Sequence, residues 1–140
     1  MKRIRVLIGI LGLDQHEVGA IAVAYMLRNA GMEVVYTSKF NLPATVVQTS
    51  IEENVDVIGL SCHSWEYLYY IPELIDLIKR AGLEIPIILG GSVITSEDSL
   101  KLKKMGVAAV VTAGTPQEEI VKTVKGLVRG DFRLQKKSNG

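Results

Sequence analysis

Asp14, His16 and Gly19 lie in the segment Asp14-Gln15-His16-Glu17-Val18-Gly19, between an apolar run ending near Ile10 and a stretch of helical period. A neutral imidazole is a good transition-metal ligand, and a carboxylate that holds its other ring nitrogen fixes the tautomer and raises its basicity. Asp and His two residues apart on an irregular loop are able to pair in that way. A glycine in the first turn of the next helix lets a bulky ligand approach the backbone. The ordinary alternatives are a solvated loop histidine for His16 and a helix N-cap for Asp14. Later apolar runs end in Ser61-Cys62-His63-Ser64-Trp65, in Gly90-Gly91-Ser92 and in Thr112-Ala113-Gly114-Thr115-Pro116. Cys62 reads as a small buried residue, and Trp65, Tyr67, Tyr69 and Tyr70 read as a helix face packed on the sheet. Collecting Asp14, His16, Cys62 and His63 into a zinc site matches no standard ligand spacing.

These residues must be positioned by the elements between them. Five β-rich runs, near Ile4 to Ile10, Glu33 to Thr37, Val55 to Leu60, Ile85 to Leu89 and Ala108 to Val111, alternate with segments of helical period. The helices are expected near Val18 to Ala30, Pro43 to Glu53, Leu68 to Ala81, Ser96 to Met105 and Pro116 to Val128. Gly31 and Gly82 sit where helices stop, and Pro43 and Pro116 sit at first-turn positions. Such alternation predicts an α/β fold, a five-stranded parallel sheet covered on both faces. The flavodoxin-like, doubly wound order 2-1-3-4-5 puts the ligand crevice beyond the carboxyl ends of strands one and three. All four polar or glycine-containing clusters then converge on one edge.

At 140 residues the chain is expected to be a single domain with one well-buried core. Sixteen basic and fifteen acidic side chains leave a net charge of +1, so there is no electrostatic case for nucleic acid or an anionic membrane. No apolar run is long enough to span a bilayer. The apolar run from Ile4 is too short for a secretory segment and Cys62 is the single cysteine, which together point to the cytoplasm. Residues 129–140 are polar and aperiodic and are expected to fray as a tail.

Other occupants of this fold fail on particular residues. A phosphorylatable receiver needs an aspartate after strand three and a lysine after strand five, where this chain has Ser61 and Thr112. Gly9-Ile10-Leu11-Gly12-Leu13-Asp14 lacks dinucleotide-binding spacing, and Leu11 to Gly19 lacks the hydroxyl-rich phosphate loop of a flavodoxin.

With those removed, Asp14-x-His16-x-x-Gly19 resembles the cobalamin signature of adenosylcobalamin-dependent carbon-skeleton mutases. Similar elements are Arg28 to Tyr36, Val55 to Ser61, Pro72-Glu73-Leu74, Gly90-Gly91 and Gly114-Thr115-Pro116. The chain looks like the cobalamin-binding domain of acyl-CoA mutases of the methylmalonyl-CoA mutase type, here over residues 1–128, with glutamate mutase small subunits second. The resemblance implies that His16 replaces the cofactor's dimethylbenzimidazole as lower cobalt ligand while the displaced nucleotide tail threads between sheet and helix. Asp14 would orient His16, and Ser61 would hydrogen-bond the buried base. Gly19, Gly90 and Gly91 would make room for the tail. Gln15, His63, Thr112 and Gly114 complete the implied cofactor contacts. A leucine at Gly91 is expected to leave the fold intact and block the tail.

The resemblance also implies an isomerase subunit that is inactive alone, bound to a large barrel subunit that holds substrate, and it admits a homodimer of such heterodimers. Three positions depart from the pattern: Ile10 where many acyl-CoA mutases have lysine, Gln15 for the glycine between Asp and His, and His63 for a leucine. The rival classes are a corrinoid methyl carrier, a cobalamin-dependent sensor, or a small α/β module without cobalamin.

Overall fold

Val, Ile and Leu dominate five short strands, and each is followed by a segment with one apolar helical face. In a computed structural model, which describes residues 3–12, 17–62, 64–112 and 114–128, these become β1 (Arg5–Leu11), α1 (Val18–Asn29), β2 (Glu33–Asn41), α2 (Pro43–Glu52) and β3 (Val57–Ser61). Then come α3 (Tyr67–Arg80), β4 (Ile87–Gly90), α4 (Ser96–Met105), β5 (Ala109–Val111) and α5 (Gln117–Val128). All strand pairs are parallel and the sheet order is β2-β1-β3-β4-β5, as the alternation predicts. The expected tail, residues 129–140, lies outside the described residues.

Because side chains alternate across a strand, each strand feeds two cores. Leu7, Ile58, Leu60, Ile87 and Leu89 pack with Val46, Ile71, Leu74 and Leu102 from α2, α3 and α4. Val6, Ile8, Ile10, Val57 and Ile88 pack with Ala20, Ala24 and Leu27 of α1 and Val124 of α5. By the same alternation Gly59, Ser61 and Gly90 belong to this second face.

Several ends differ from the expectation. β2 runs on to Asn41, with register shifts against β1 and with Ser38 and Phe40 at φ of 62° and 67°. The extension is held by Asn41, a buried polar residue whose amide donates to the carbonyls of Ile10 (3.1 Å) and Ser38 (2.8 Å). β3 starts only at Val57, since the Asp56 carboxylate accepts from the backbone N–H of Arg5 (2.9 Å). β4 starts after Pro86, which has no N–H to give to a ladder. The aromatic face is a further correction: Tyr67 is buried and Tyr70 half-buried, but Trp65 and Tyr69 are 73% and 77% exposed. They lie around the start of α3 and point away from its buried face of Tyr67, Ile71, Leu74 and Ile78.

Candidate functional site

The strand order reverses between β1 and β3, and a slot of about 470 Å³ opens there between the sheet and the α1/α5 layer. This volume falls in the range of about 300–1,000 Å³ typical of small-molecule sites. Two absent side chains and a run of small ones create it. Gly59 and Gly90 put no side chain of their own on the sheet floor, where Ile8 and Ile88 lie over Gly59, and Gly19, Ala20, Ala22 and Val23 keep the facing side of α1 thin. α1 and α5 run back along parallel strands, so their first turns border the mouth and Leu27 and Val124 close the bottom with Val6.

Six residues expected at a cofactor, Gly19, Ser61, Gly90, Gly91, Thr112 and Gly114, line this slot. Ser61 ends β3, in register with Ile10 on one side and Gly90 on the other. Asp14, Gln15, His16 and His63 lie outside the described residues. At the start of α1, Glu17 has helical backbone angles and its side chain makes no capping hydrogen bond.

The glycine pair at the end of β4 divides into two different cases. A side chain at Gly90 would meet Val111 at ordinary contact distance, with its carbonyl 3.6 Å away. Gly91 has φ of 150°, and a Cβ there would overlap the backbone carbonyl of Cys62. That closeness comes from the bond of the Cys62 N–H to the Gly90 carbonyl (2.7 Å). The expectation that leucine at Gly91 leaves the fold intact is therefore overturned. Cys62 itself is 1% exposed, a small core residue as expected.

The residues flanking 13–16 are fixed by the distorted end of β2. Gly12 N–H donates to the Asn41 carbonyl (2.8 Å). The Glu17 carboxylate accepts from Ser38 Oγ (3.0 Å) and Tyr36 Oη (3.3 Å), and Lys39 Nζ lies 3.6 Å away. Burial, and then the nearby Glu17 charge, push the Tyr36 phenol above its ordinary range. Sequence reasoning passed over Glu17 and Asn41. The only available signal was a run of polar residues, Thr37 to Lys39, at the end of an otherwise apolar strand. Ile10 is completely buried in the α1/α5 core, so a lysine at this position would need a different local packing.

Tyr67 ties α3 to α4 beside this edge, its Oη donating to Asp98 Oδ2 (2.8 Å). Asp98 sits in the first turn of α4, where the Thr95 side chain caps its N–H (3.1 Å).

Residues 4–122 match the family model of the B12 binding domain. The chain is 38% identical over 125 residues to the 2-hydroxyisobutanoyl-CoA mutase small subunit of Aquincola tertiaricarbonis, covering 89% of this chain and 92% of that protein. It is 40% identical to the pivalyl-CoA mutase small subunit of Xanthobacter autotrophicus, covering 89% and 83%. Its fold superposes with a TM-score of 0.78 on a cobalamin-binding protein from Desulfitobacterium hafniense, at 22% identity, over 91% of this chain and 60% of that one.

Proposed function

The chain belongs to the B12-binding domain family, and from that premise we propose that it is the cobalamin-binding small subunit of a heteromeric acyl-CoA mutase, with His16 as lower cobalt ligand. The observation that carries this reading is the slot at the β1/β3 switch point, bordered by Gly19, Ser61, Gly90, Gly91, Thr112 and Gly114. A base-off cofactor needs a narrow, apolar recess for its displaced nucleotide, and a slot floored by Gly59 and Gly90 suits a flat ring system. The small and apolar lining of the slot suits the cofactor's tail.

When bound, adenosylcobalamin supplies radical chemistry through homolysis of its cobalt–carbon bond. The chain's own part is to bind, orient and bury. His16 would supply the imidazole, and Asp14 would accept from its second ring nitrogen and hold the tautomer. Ser61, which lines the slot at the end of β3, would hydrogen-bond the base. Apolar walls from α1 and α5 exclude water from the tail. A large subunit with its own substrate-binding barrel completes the enzyme. That pairing is supported by the similarity to two proteins named as small subunits, across most of their length.

The test is a titration of the full chain with hydroxocobalamin, followed by visible absorbance. Wild type should shift the cofactor to the base-off, histidine-ligated spectrum, and His16→Ala should bind without that spectrum. Mutase turnover should appear only after a large subunit is added. The same nitrogen-ligated spectrum in His16→Ala would remove His16 from the role.

A further inference from the structure

Glu17 begins α1 with its backbone, its carbonyl accepting from the Ile21 N–H (2.9 Å), but its side chain makes no capping bond there. The carboxylate turns to another element. Oε1 accepts from Ser38 Oγ (3.0 Å) and Oε2 from Tyr36 Oη (3.3 Å), both on β2, and Lys39 Nζ lies 3.6 Å from Oε1. The Glu17 side chain is 24% exposed, so these charge-assisted bonds are partly withdrawn from water.

The strand end that receives Glu17 is distorted. Ser38 and Phe40 hold φ of 62° and 67°, left-handed values that strain a residue with a side chain, and the β1–β2 register shifts on both sides of Gly9. Gly9 makes the distortion possible, because a Cβ there would overlap the Thr37 hydroxyl and lie 3.0 Å from the Asn41 amide nitrogen. Strain of this kind persists only where surrounding contacts over-determine it, and it gathers at functional sites. The same strand end holds both flanks of one short segment. The Asn41 carbonyl accepts from the Gly12 N–H (2.8 Å) on one side, and Tyr36 and Ser38 hold Glu17 on the other. Between these anchors the sequence places Asp14 and His16.

A metal ligand on an unrestrained segment loses that freedom on binding, whereas one with fixed neighbours loses less. We propose that Glu17 is a positioning residue for His16, latching the start of α1 to the distorted end of β2 so that the imidazole reaches cobalt at a smaller entropic cost. This rests on the reading of His16 as the lower cobalt ligand.

The experiment measures hydroxocobalamin affinity for four forms of the full chain: wild type, Glu17→Ala, His16→Ala and both changes together. Glu17→Ala should weaken binding about tenfold when His16 is present, and by about twofold or less in the His16→Ala background. A positioning residue acts only through the group it positions, whereas a merely structural one costs the same in both backgrounds. Tyr36→Phe combined with Ser38→Gly keeps Glu17 and removes both hydroxyls. Glycine adopts a φ of 62° without strain, so this chain should stay folded on thermal unfolding and show the same loss of affinity. Equal losses in the two backgrounds, no loss in either, or wild-type affinity in the folded Tyr36→Phe/Ser38→Gly chain would each overturn the latch, with weakened binding by His16→Ala still supporting the ligand. Wild-type affinity in His16→Ala alone would instead overturn the reading of His16, and the latch with it.

Discussion

Gly90 and Gly91 are adjacent, yet only one of them is required by the backbone. Gly91 takes a φ of 150° with the Cys62 carbonyl in the place of its missing Cβ, whereas Gly90 faces the slot with ordinary clearance from Val111. Gly90→Leu should therefore fold and fill the recess, weakening cobalamin binding about tenfold or more, the equivalent of about 1.4 kcal/mol. Gly91→Leu should lose stability whether or not cofactor is present. Thermal unfolding and an absorbance titration of both variants separate the two effects; a folded Gly90→Leu with wild-type affinity would mean that the tail does not pass there. The sequence announces the pair but not this division. A glycine's φ depends on what its strand end pairs with, here the Cys62-to-Gly90 bond, and that pairing is tertiary. Glu17 was illegible for the same reason, since its partners on Tyr36, Ser38 and Lys39 come from a strand end nineteen or more residues away that has two left-handed residues.

The ten elements were legible because apolar period switches between strand and helix along the whole chain, and the ends that moved are those fixed by polar side chains or proline. Asn41 extends β2, Asp56 delays β3 and Pro86 delays β4. The α3–α4 contact offers a test at this scale. Burial first, and then its bond to Asp98, push the Tyr67 phenol well above its ordinary value of 10.0. The hydrogen bond from Tyr67 chiefly holds Asp98 below its ordinary 3.8. With a raised folded value, the Tyr67 contribution is fully present below pH 10.0 and is lost as pH rises beyond it. The Asp98 contribution is present above pH 3.8 and is lost as pH falls toward its lower folded value. Tyr67→Phe should therefore cost about 1 kcal/mol near neutrality and flatten the alkaline loss of stability. Urea unfolding at neutral pH and again above pH 10.0 measures both; an alkaline loss as steep in the variant as in wild type would mean that another group causes it.

For the whole molecule, the doubly wound sheet puts four segments far apart in sequence onto one edge, and between that edge and α1/α5 it leaves a slot with a polar mouth and an apolar end. The convergence was legible, because strand order fixes which loops meet. The slot was not, because its width depends on Gly59 and Gly90 facing Ala20 and Val23 across two layers, a packing fact that no spacing along the chain reveals. Among the described residues no helix is long and apolar enough to cross a membrane. The proposed base-off binding would be expressed in one coordinate bond, from the His16 imidazole to cobalt. Electron paramagnetic resonance of cob(II)alamin bound to the full chain reads that bond when all histidines are labelled with heavy nitrogen and the cofactor is not. The lower-ligand splitting should change from the triplet of ordinary nitrogen to a doublet. A triplet that persists in the labelled protein would show that the cofactor keeps its own base on the metal, and would contradict base-off binding by this chain.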